Sequence, residues 1–60
     1  MRILDDTLVK LLERNGVATE EQLTPLKEEA ARSSRPLQEV VIEAKLITEV
    51  DLTKQFAAYA

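Results

Sequence analysis

Val17-Ala18-Thr19-Glu20-Glu21-Gln22-Leu23-Thr24 returns 29 residues later as Leu46-Ile47-Thr48-Glu49-Val50-Asp51-Leu52-Thr53. Each stretch reads as a turn entering a helix. Thr19 and Gln22 have capping-box spacing, in which the Thr hydroxyl and the Gln amide each satisfy an otherwise orphaned backbone N–H. Ala18 and Leu23 stand at the two positions of a hydrophobic staple. Thr48 with Asp51, and Ile47 with Leu52, repeat the arrangement. The match extends upstream: Leu8 falls on Leu37, and Leu11-Leu12 on Val40-Val41. The shared positions are core, cap and staple, which a duplicated helix-turn-helix has to keep. The chain therefore reads as two tandem copies, about 5–33 and 34–60, forming one domain over 1–60.

Four apolar stripes support this reading. Leu4, Leu8, Leu11 and Leu12 form the first, and Leu23, Leu26 and Ala30 the second. Leu37, Val40, Val41 and Ala44 form the third; Leu52, Phe56 and Tyr59 form the fourth. Spacings of three, four and seven put each set on one face of a helix. The expected fold is all-α, a small four-helix bundle with helices near 5–15, 20–33, 36–45 and 49–59. Neither copy buries its stripes alone, so the two pack together. Leu12, Leu23, Val41, Leu52 and Phe56 are expected among its most buried side chains.

Asp5 or Asp6 is the expected cap of the first helix, and Asn15-Gly16 its end. Ser34 or Arg35 is the expected cap of the third, with Pro36 in its first turn, where a missing N–H costs little. Gly16 aligns with Lys45, so the second turn needs another way to end its helix. Pro25 falls inside the second helix, where it removes a hydrogen bond. Either that helix bends there or it restarts with Thr24 as cap; the shared stripe of Leu23 and Leu26 favours one bent, continuous helix.

Composition limits the function. The chain has 60 residues, no Cys and no His, which excludes a disulfide framework and the usual zinc ligands. The net charge is −3 and its basic residues are scattered among more numerous acids. Phosphate backbones are held by clustered Lys and Arg, so nucleic acid is not an expected partner. No apolar run is long enough to span a bilayer and no signal-peptide pattern is present, so the expected location is cytoplasmic. The acid pairs Asp5-Asp6, Glu20-Glu21 and Glu28-Glu29 fall at helix starts or on polar faces, whereas paired carboxylates need burial for acid–base work. Glu39 and Glu43 read as a solvated face. No catalytic residue, cofactor or metal site is expected. The apolar ending Phe56-Ala57-Ala58-Tyr59-Ala60 suggests the N-terminal fragment of a longer protein.

The copies differ where Glu13 and Glu21 become Ile42 and Val50. The second copy thus carries apolar surface outside its own stripe, and Ile42 and Val50 are the candidate docking patch.

An apolar doublet, a turn, a second apolar doublet and then Thr-Glu-x-x-Leu, twice over, resembles the N-terminal domain of type II secretion and type IV pilus assembly ATPases. The resemblance runs from about Leu8 to Tyr59. It implies a docking or regulatory module that is not an enzyme in itself. Its implied partners are the rest of a parent ATPase and the cytoplasmic part of an inner-membrane assembly protein, which would recruit it to that membrane. With one Gly in all, the chain has no G-x-x-x-x-G-K-[ST] phosphate loop.

Some members of that family bind cyclic di-GMP through two tandem motifs. Each opens Arg-Leu-Gly and closes with Gln, with a Gly before the second apolar doublet. Here the second copy has Pro36 at the Arg position, Gln38 and Lys45 at the two Gly positions, and Tyr59 at the Gln. The first copy has Thr7, Val9 and Ala30 at the opening Arg, opening Gly and closing Gln. Such a degenerate sensor would use Arg35, Leu37, Leu46 and Leu52, and it is the alternative function. A self-associating helical module unrelated to secretion is the third.

Overall fold

Two aspartates open the first helix, yet neither caps it. Helix α1 runs Asp5–Arg14 with Leu4 as its N-cap and no side chain bonded at the cap. Asp5 and Asp6 lie in the first turn, where carboxylates meet the positive end of the helix dipole. The structure, a computed structural model, describes residues 3–59; Met1, Arg2 and the terminal Ala60 lie outside it. It contains three further helices: α2 (Glu20–Ser33), α3 (Leu37–Glu43) and α4 (Glu49–Tyr59). The fold is all-α, a small four-helix bundle. Only α3 is noticeably shorter than expected, by one residue at its start and two at its end.

α1, α2 and α3 close the same way. At the end of α1 the Val17 N–H donates to the Leu12 carbonyl (2.9 Å) and the Gly16 N–H to that of Glu13 (3.1 Å). After α2 the Arg35 N–H bonds Ala30 (2.9 Å) and the Ser34 N–H bonds Ala31 (3.4 Å). After α3 the Leu46 N–H bonds Val41 (3.2 Å) and the Lys45 N–H bonds Ile42 (3.0 Å). These are paired Schellman bonds, and each needs one left-handed residue. Gly16 (φ 68), Ser34 (φ 55) and Lys45 (φ 62) supply it. The expectation that Lys45 requires a different ending is therefore corrected. The hydrogen-bond pair is the same, and a lysine accepts the conformation glycine takes in the first copy.

The entry to α3 corrects another expectation. Ser34 is spent in closing α2, and Pro36 is the N-cap of α3, with no side-chain bond from the cap itself. The orphan N–H of Leu37 is met from the other copy: it donates to Asp5 Oδ1 at 3.4 Å. At the Thr19 and Thr48 turns, by contrast, the caps are local. The Gln22 N–H donates to Thr19 Oγ1 (3.3 Å) and the Thr19 N–H to Gln22 Oε1 (2.9 Å), completing the capping box. The Asp51 N–H donates to Thr48 Oγ1 at 3.1 Å. Helix α2 is continuous through Pro25, so it does not restart at Thr24. The ring's missing N–H would have bonded the Glu21 carbonyl, and both residues are exposed, where water can serve that carbonyl.

Helix α1 packs on each of the other three, and α2 packs on α3. Apart from α1 on α2, these pairings join one copy to the other, so neither copy is a free-standing hairpin. The radius of gyration is 10.4 Å, matching the roughly 10 Å of a well-packed domain of this length. Leu8, Leu12, Leu23, Val41 and Leu52 have no exposed surface. Phe56 does not join them. It is half-buried, as are Leu26 and Tyr59, while Ala44 is exposed. The last turns of α4 lie at the end of α1, where Asn15 Nδ2 donates to Gln55 Oε1 (2.9 Å) and the Arg14 guanidinium sits 5.7 Å from the Tyr59 ring centre. Side chains there pack mainly on one helix and keep a side to solvent. The first stripe is corrected too. Leu4 is 72% exposed, and Ile3, which the periodicity passes over, is buried at 1%.

Candidate docking surface

Ile42 and Val50 occupy the end of α3 and the first turn of α4, on either side of the Lys45 turn. Their surroundings differ. Ile42 is half-buried and packs against the core. Its remaining surface lines an open hollow of about 490 Å³ with Lys45, Leu46, Ile47, Thr48, Glu49 and Asp51. A smaller hollow beside it is bordered by Gln38, Glu39, Glu43 and Glu49 as well as Ile42. Val50 is in the lining of neither and stands 63% exposed. In the first copy the equivalent Glu13 and Glu21 are both exposed. The apolar replacement at 42 is thus partly absorbed by this chain's own core, and the one at 50 is left in water.

The residues of the degenerate nucleotide motif fall into three environments. Leu37 and Leu52 are 1% and 0% exposed, so a ligand touching their side chains would have to open the core. Leu46 is half-buried against that core. Arg35 is bonded to Glu43. That hydrogen bond, more than the nearby carboxylate charges, raises the Arg35 pKa above its ordinary value. A phosphate approaching this guanidinium would compete with a carboxylate already in place. The structure does not bring these four residues together as one accessible site. Glu43, expected merely to be solvated, is exposed but paired.

An open hollow of about 580 Å³ lies where α1, α2 and the start of α3 meet. Its rim mixes Asp5, Asp6, Glu13 and Glu20 with Lys10 and Lys27. No described polar side chain is buried. Glu29 bonds Arg32 at 2.6 Å on the surface. Among the described residues no group of three or more acids is placed to hold a metal ion, and no helix is long and apolar enough to cross a membrane.

One exposed residue escaped the sequence reading. Leu4 is more exposed than Val50, and the signal for it was available in Asp5-Asp6. Two acids in succession suit a first turn, which places the cap, and so the end of the helical stripe, at residue 4. Neither a family model, a curated protein nor a solved structure matches this chain.

Proposed function

We propose that this chain is a docking and regulatory module of a type II secretion or type IV pilus assembly ATPase, without catalysis of its own. The observation that carries the reading is the duplicated turn: left-handed Gly16 and Lys45, each followed by a Thr-capped helix whose Leu is buried. That is the tandem pattern on which the resemblance rests. In this reading the module is cytoplasmic and is recruited to the inner membrane by the cytoplasmic part of an assembly protein. The docking face is the second copy, around the exposed Val50 and the uncovered part of Ile42. A buried Val or Ile contributes about 1.5–3 kcal/mol, enough to matter in a modest interface.

Val50 offers the cleaner test, because its side chain is largely outside the core. Val50→Glu is expected to leave helicity and melting temperature unchanged. It should weaken binding to the cytoplasmic domain of the inner-membrane assembly protein at least about tenfold in a calorimetric titration, a loss of about 1.4 kcal/mol. Unchanged affinity would move the docking face elsewhere. Absence of binding by the parent chain would remove the secretion reading itself.

A further inference from the structure

Leu4 is the most exposed large apolar side chain among the described residues, and its neighbour Ile3 is sealed in the core. Helical spacing asks for the reverse. Leu4 stands four and seven positions before Leu8 and Leu11, both buried, so a helix that included Leu4 would turn it inward. The backbone is one rotation from that arrangement. Leu4 has φ −61°, already helical, and ψ 143°, extended. Its carbonyl already accepts the first helical bond, from the Leu8 N–H at 2.8 Å. Bringing ψ to about −42° would leave the rest of α1 in place. It would swing the Leu4 side chain towards the stripe and carry Ile3 away from the core. Leucine and isoleucine have the same volume, so one can fill the space the other leaves.

We propose that Ile3 and Leu4 form a two-position latch. Its ground position buries Ile3; its second position buries Leu4 and lengthens α1 at the N-terminus. One feature favours the ground position: the Ile3 N–H donates to Gln38 Oε1 at 2.8 Å. Gln38 belongs to α3. Movement of the latch is therefore felt at the start of the second copy, and each position presents a different apolar side chain to a partner.

A double-mutant cycle on the whole chain, followed by urea unfolding, tests this. Leu4→Ala alone is expected to change the folding equilibrium constant by less than about threefold, as at other exposed positions. In the Ile3→Ala background Leu4 has taken the core site, and removing it should lower the constant about thirtyfold or more. NMR of Ile3→Ala should show a helical Cα shift at Leu4 and contacts from its methyls to Leu8 and Leu11. The proposal is overturned if Leu4→Ala has the same effect in both backgrounds, or if the Leu4 shift stays extended. It is overturned equally if Ile3→Ala fails to fold, since a latch with a second position would rescue it.

Discussion

Lys45 holds a backbone conformation that costs an L-residue with a Cβ about 1–2 kcal/mol. Glycine would escape that cost but would lose more chain entropy on folding, so the gain from replacing it is smaller. Lys45→Gly is expected to stabilise the chain by up to about 1 kcal/mol. Gly16→Ala should destabilise it by roughly the same amount. Beyond its two chain neighbours nothing lies within 4 Å of a Cβ built at Gly16, so the penalty there comes from φ, not from a tertiary clash. For a domain of this size about 1 kcal/mol moves the melting temperature by about 4–8 °C, and thermal unfolding of the two variants measures both signs. A Lys45→Gly variant that melts lower than the parent would show that its side chain does something the turn geometry does not. The alignment of Gly16 with Lys45 was legible in the sequence. That Lys45 would take the same φ was not, because a lysine is not selected for the left-handed region and is driven there by the two helices it joins.

Among the elements, α2 carries the clearest internal conflict. Pro25 lies in the sixth helical position and cannot donate to the Glu21 carbonyl. The Thr24 hydroxyl donates to the Glu20 carbonyl at 2.9 Å, as the Thr53 hydroxyl does to Glu49 in α4, which has no proline. The helix survives because Leu23 and Ala30 are buried on its inner face, and burial outweighs one lost bond. Pro25 itself is exposed. Pro25→Ala is therefore expected to raise stability by about 1–2 kcal/mol, less than the full helix-propensity difference because proline also stiffens the unfolded chain. A urea midpoint equal to or below the parent's would mean that the ring makes a contact worth as much as the bond it removes. Element boundaries were readable where the deciding groups are neighbours in sequence, as at Thr19 with Gln22. They were misread where the deciding group came from elsewhere, as at Leu37, whose N–H is met by Asp5 across the bundle.

For the whole molecule, cooperativity rests on a core of apolar side chains with α1 at its hub. Leu52 is the one fully buried residue of α4, so it fastens that helix to the rest. Leu52→Ala should cost about 2–5 kcal/mol, comparable with the total stability of so small a domain, and circular dichroism should show it largely unfolded at room temperature. Phe56→Ala removes a larger side chain but one that already faces water in part, and it should remain folded with a smaller loss. Reversal of that order would place Phe56, not Leu52, at the centre. Much of this architecture was determined by the sequence alone: four helices, two of their caps, the repeated turn and the greater part of the core. These follow from hydrogen bonds and periodicities that act over a few neighbouring residues. Only the tertiary structure decided that Ile3 is buried and Leu4 exposed, that Asp5 caps a helix in the other copy, and that Ile42 is half-covered while Val50 is not. Those outcomes depend on which helix faces which, and burial is a property of the assembled surface that no local pattern contains.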